Sequence, residues 1–181
     1  MRSNLKTPLF IVLGGIAFLS ALLGCAHRHA YITDDMYSNH VGDISRNGGL
    51  DDDHFQRCFA EDSTVQYFNY SDGFRYKGEK KALNDFFYEN YQPVHKKNQS
   101  GYIRIRFVVN CKGESGQFRV LESDEHFLPK KFHPKIVNQL LRLTKKLDGW
   151  FIVSDGTHRA LDYYQYLIFK IEAGEIKEIM P

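Results

Sequence analysis

The chain has almost no net charge: 24 Lys and Arg against 22 Asp and Glu leave +2 with histidine neutral. Its basic residues are spread along the sequence, so neither nucleic acid nor an anionic surface is implied as the partner of the whole molecule. Catalytic signatures are missing as well. There is no G-x-S-x-G, no H-E-x-x-H, no P-loop and no Gly-rich dinucleotide pattern. His27 and His29 near the N-terminus, and His126 and His133 further on, join no compact ligand set. The run Asp51-Asp52-Asp53 lacks the Gly and Glu of a calcium loop, and nothing pairs Glu122, Asp124 and Glu125 as acid and base. The expectation is a protein without enzymatic activity, cofactor or metal.

Cysteine and proline are scarce, at three and five residues. No C-x-x-C spacing occurs, which argues against a redox motif or a zinc ribbon. What does stand out is the N-terminus. Arg2 and Lys6 precede an apolar run from Pro8 to Leu23, which ends in Leu22-Leu23-Gly24-Cys25. This resembles the lipobox of bacterial lipoproteins and implies that Cys25 is the acylated first residue of the mature chain, on the periplasmic side. Two alternatives remain: a plain signal peptide, or an uncleaved anchor, since ~17 residues is the short limit for a membrane span. Ala26 and His27 supply no retention Asp after Cys25, which favours the outer membrane. Of the other cysteines, Cys58 and Cys111 form a pair that an oxidising compartment can bridge, while the alternation around Cys111 also suits a buried thiol.

Residues 1–24 are then the leader, 25–58 a polar tether without apolar periodicity, and 59–181 one folded domain. From Phe59 the chain turns aromatic. Val65, Tyr67, Phe68 and Tyr70 suggest an extended segment, and Ser71-Asp72-Gly73 a turn. Leu83, Phe86, Phe87 and Tyr91 recur at helical spacing over 80–92, before Pro93. Ile103, Ile105, Phe107 and Val109 alternate with Tyr102, Arg104, Arg106 and Val108, a half-buried strand that returns through Phe118 and Val120 as a hairpin. Pro134 opens a second helix with Ile136, Val137, Leu140, Leu141, Leu143 and Leu147 on its apolar face, and Gly149 is placed to stop it. Two further strands cover 161–171 and 175–179, around Ala173-Gly174. The class is α+β: a small antiparallel sheet with two helices, in the order helix, hairpin, helix, hairpin.

That order and several residues resemble the C-terminal domain of the TonB family. The likeness runs through Tyr76-Lys77-Gly78, Ala82-Leu83 and Phe86-Phe87. It continues through Gly101-Tyr102-Ile103-Arg104-Ile105-Arg106-Phe107-Val108-Val109, Gly113 or Gly116, Trp150, and Leu167-Ile168-Phe169-Lys170-Ile171. It implies a binding domain to which a partner peptide adds as a strand by backbone hydrogen bonding. Asp162-Tyr163-Tyr164-Gln165-Tyr166 resembles the start of the strand used, so Tyr163, Gln165 and Tyr166 become candidate partner contacts, with tyrosines on at least one face packing on the core. The partner would be an outer-membrane receptor or another envelope protein, and the membrane would be held through the N-terminal lipid. The chain departs from the family's energy transducers in three ways. No Pro stands two residues beyond Trp150, there is no Pro-rich spacer, and the apolar run has no His. A lipid-anchored adaptor is therefore the expectation, with a TonB-type transducer on an uncleaved helix as the alternative.

Overall fold

The computed structural model describes residues 44–66 and 75–180. The leader, Cys25 and the aromatic run 67–74 lie outside the described residues, so what the sequence suggests for them stands as expectation.

The fold is α+β. Helix α1 (Glu79–Asn90) precedes a hairpin of β1 (Gly101–Val109) and β2 (Ser115–Ser123); α2 (Pro134–Thr144) follows. Next come two short strands, β3 (Val153–Ser154) and β4 (Ala160–Leu161), then the long β5 (Tyr163–Glu172) and β6 (Glu175–Met180). The main sheet has four antiparallel strands in the order β2-β1-β5-β6, and β3 pairs with β4 in a separate two-stranded sheet. The sequence gives no strand periodicity for that small sheet. It is held by Asp155, whose carboxylate accepts the amides of Thr157 and Arg159 at 2.8 and 3.0 Å.

Period-two alternation on β1 decides the layering. Ile103, Ile105, Phe107 and Val109 are fully buried on one face, opposite Phe169, Leu167, Gln165 and Tyr163 of β5. Helix α1 sets Leu83 and Phe87, one turn apart, onto this face, and the Phe87 ring meets Phe169 edge-on at 4.8 Å. Burying each such side chain contributes about 1.5–3 kcal/mol. The helix stops at Asn90, before the extended Tyr91 and Pro93. Helix α2 starts at Pro134, with His133 as N-cap accepting the Lys135 amide at 3.3 Å, and it buries Ile136, Leu140 and Leu143. It ends at Thr144, short of Gly149. Gly149 serves packing instead, because a Cβ there would sit 2.9 Å from the Tyr76 ring.

The opposite face of the sheet corrects the expected tether for residues 44–58; residues 25–43 lie outside the described residues. From Ile44, which is 2 % exposed, the chain packs onto Val108, Tyr164 and Phe55. It is polar because it makes few apolar and many hydrogen-bonded contacts, which the absence of periodicity cannot distinguish from a solvated linker.

Candidate functional site

The stretch Asp162-Tyr163-Tyr164-Gln165-Tyr166 does not lie along an outer edge. Its strand, β5, pairs with β1 from Tyr163 to Ile171, and Val65 bridges Tyr163 from the other flank: Val65 donates to the Asp162 carbonyl and Tyr164 donates to the Val65 carbonyl, both at 2.9 Å. The side chains of Tyr163 and Gln165 are 1 % and 0 % exposed. They share the core face with Phe107 and Val109, and the Tyr163 hydroxyl donates to the Phe151 carbonyl at 2.9 Å. These two side chains thus belong to the core and have no surface to offer a partner. Tyr166 alone of the three candidates is partly exposed, on the opposite face beside Arg106.

The true edges are β6 and β2, and they differ. On β6 the register shifts between Lys170 and Ile171, a bulge that leaves Lys177 without a cross-strand partner, and the Tyr88 hydroxyl donates to the Lys177 carbonyl at 3.3 Å. A bulge, exposed Lys177 and Glu178, and a capped carbonyl together blunt that strand against pairing. On β2 the backbone alternates in the same way, and its direction follows from the ladder. Because Tyr164 turns its amide to Val65, the odd residues of β1 face β5 and the even ones face β2. Arg119 and Leu121, opposite Arg106 and Arg104, then face β1, so Val120 and Glu122 direct their amides and carbonyls outward; before Arg119 the register shifts at a bulge in which Gln117 has φ 54°. The Glu122 carbonyl accepts the Lys130 amide at 3.2 Å and the Phe118 carbonyl accepts the Arg119 guanidinium at 3.0 Å. Between them, no described group bonds the outward N–H and C=O of Val120. At the foot of this edge lies an open groove lined by Leu50, Asp52, Phe55, Phe118 and Lys145.

What holds the molecule together behind that edge is a polar clasp. Cys58 and Cys111 are joined in a disulfide across 53 positions, with Cα atoms 5.9 Å apart. Asp162, 0 % exposed, accepts three amides beside it: Cys58 and Phe59 on one oxygen at 2.9 and 3.0 Å, and Cys111 on the other at 2.8 Å. Cys58, Cys111 and Asp162 bring sulfur and oxygen ligand atoms within 4.8 Å of one another. The sulfurs are spent on each other and both oxygens on amides, so the chemistry is that of a clasp rather than a metal centre.

Arg57 adds bonds to Gln117 at 2.7 Å and Thr64 at 2.8 Å, and to the Ile44 carbonyl. Tyr164 accepts the Ile44 amide at 3.1 Å, with the Arg106 guanidinium over its ring at 4.4 Å. The Arg119 guanidinium meets both oxygens of Asp51, at 2.6 and 2.9 Å. Burial alone would raise the Asp51 carboxyl. The Arg119 side chain, the Asn47 amide and the charges of Arg119 and Arg46 outweigh that and hold it below the ordinary carboxylate value.

The class these features define is a disulfide-clasped α+β domain with, among the described residues, an open sheet edge at β2. No protein-family model, no curated protein and no solved structure matches the chain. Among the described residues no helix is long and apolar enough to cross a membrane. Asp162 and Val120 escaped the sequence reading. Asp162 precedes a tyrosine-rich strand and carries no motif, and an open edge becomes visible only once strand order is known.

Proposed function

We propose that this chain is a non-enzymatic adaptor of the bacterial cell envelope, lipid-anchored through Cys25, whose α+β domain captures an extended segment of another envelope protein by strand addition. The observation that carries this reading is the outward backbone of Val120 on β2, which no described group bonds, between two capped carbonyls. The edge is bordered by the half-buried side chains of Phe118 and Val120 and by the Leu50–Phe55 groove. Support for an oxidising compartment comes from the Cys58–Cys111 disulfide. The likeness to the TonB C-terminal domain supports the binding mode, while the scarcity of proline and the lack of His in the apolar run favour an adaptor over an energy transducer.

The test is Val120→Pro. The Val120 amide points away from β1, so proline there removes no bond of the β1–β2 ladder but abolishes the outward donor. Screened against an array of extended peptides, the variant should lose binding about tenfold or more relative to the wild type, in line with about 1–2 kcal/mol for a lost backbone bond and the added bulk. Equal capture by the folded variant would overturn the reading. For the anchor, radiolabelled palmitate should enter the wild type and not Cys25→Ala; a label-free wild type with an intact leader contradicts it.

A further inference from the structure

The 22 positions from His126 to Leu147 hold six Lys and Arg residues and no Asp or Glu, in a chain whose total charge is only +2. In linear sequence these cations look dispersed. Helix periodicity gathers them. With Ile136, Leu140 and Leu143 turned into the core, α2 exposes Lys135 and Arg142 on its outer side, and the exposed Lys145 and Lys146 follow at the C-cap and one position beyond it. Among the described residues none of these four has a carboxylate partner. At its C-terminal end the row reaches the open edge of β2 through Lys145. The Lys145 ammonium lies 5.5 Å from the centre of the Phe118 ring, in the groove at the foot of the strand. At the other end the Lys130 amide caps Glu122, and the Lys131 ammonium pairs with the Glu122 carboxylate at 3.1 Å, which neutralises the acid nearest the edge. Asp51 is likewise neutralised by Arg119.

Resting on the strand-addition reading above, we propose that the segment taken up by β2 is acidic. Its Glu or Asp residues fall on the α2 side of the sheet, toward Lys145 beside Phe118, and the apolar residues that alternate with them fall on the opposite side, toward Leu50 and Phe55. Backbone bonding at Val120 supplies the pairing, and the basic row selects among strands that would otherwise pair equally well. Rim charges of this kind act mainly on selectivity and association rate, and their effect falls with ionic strength.

Two fluorescent eight-residue peptides with the same alternating valine pattern, one carrying Glu at the intervening positions and the other Lys, separate the possibilities by anisotropy titration. The Glu peptide should bind the wild type about tenfold or more tightly than the Lys peptide at ~20 mM salt, with the gap narrowing at ~300 mM. Arg142→Glu/Lys145→Glu, both on exposed positions, should reverse the preference. Equal affinity for the two peptides, each still weakened by Val120→Pro, overturns the acidic partner and leaves strand addition standing. Binding indifferent to Val120→Pro overturns strand addition itself. Adsorption to phosphatidylglycerol vesicles that the double charge reversal abolishes, with no peptide preference, assigns the row to lipid and overturns the proposal.

Discussion

Asp162 and Cys111 are 51 positions apart, yet the buried carboxylate of one accepts the backbone amide of the other at 2.8 Å, while its second oxygen holds Cys58 and Phe59. One side chain therefore fixes both ends of the disulfide and ties the N-terminal segment to the start of β5. Asp162→Ala leaves three amides without their charged acceptor, and the expected loss is about 3 kcal/mol, read as a lower urea midpoint at unchanged slope.

The disulfide itself closes a loop of 53 residues. Restricting the unfolded chain over that length corresponds to about 4 kcal/mol, and Cys58→Ser/Cys111→Ser should lose most of it. Because Asp162 bonds the amides of both cysteines, its substitution and the loss of the bridge act on one unit. The combined variant should lose clearly less than the sum of the two effects. Strict additivity would show that the clasp and the bridge work independently.

Gly116 on β2 lies against the Phe55 ring so closely that an added Cβ would come within 2.1 Å of it. Gly116→Ala must displace Phe55 from its place beside Val108 and Tyr164, at a cost of about 1–3 kcal/mol. Residues 44–66 should then become more accessible, with faster tryptic cleavage after Arg46 and Arg57 than in the wild type. Cleavage at the wild-type rate would mean that Phe55 contributes nothing to seating this segment.

Acid should loosen the same segment. The folded-state pKa of Asp51 lies below its ordinary 3.8, so its contribution is fully present above that value and is lost as pH falls from there through the folded pKa. Protonation dissolves the pair with Arg119 and the bond from the Asn47 amide. The protection of the Asn47 amide, its exchange rate taken relative to the intrinsic rate at each pH, should therefore fall below about pH 4. Asp51→Asn should exchange faster at neutral pH and show a flatter acid profile.

The elements of the fold were legible where a single period dominates. The alternation Ile103, Ile105, Phe107, Val109 and the helical spacing of Leu83 and Phe87 each place side chains that the structure buries together. Three things were not legible. Residues 44–58 read as a tether, because a segment held by Arg57, Arg119 and Asp162 shows polar residues in no period, as a solvated linker does. Tyr163, Gln165 and Tyr166 looked available because the pattern of one strand does not say which strands flank it. The order β2-β1-β5-β6 puts Tyr163 and Gln165 against Val109 and Phe107 and leaves the open backbone on β2 instead. The basic row of α2 was invisible for a related reason: residues seven to ten positions apart become neighbours only on a helix whose buried side is known.

The most direct measurement is residue-resolved amide hydrogen exchange across β2, with and without a saturating extended peptide. Strand addition at this edge predicts that exchange slows at Val120 on binding, while Arg119 and Leu121, already bonded to β1, change little. Protection that appears elsewhere in the domain, with Val120 exchanging at its free rate, would contradict the account.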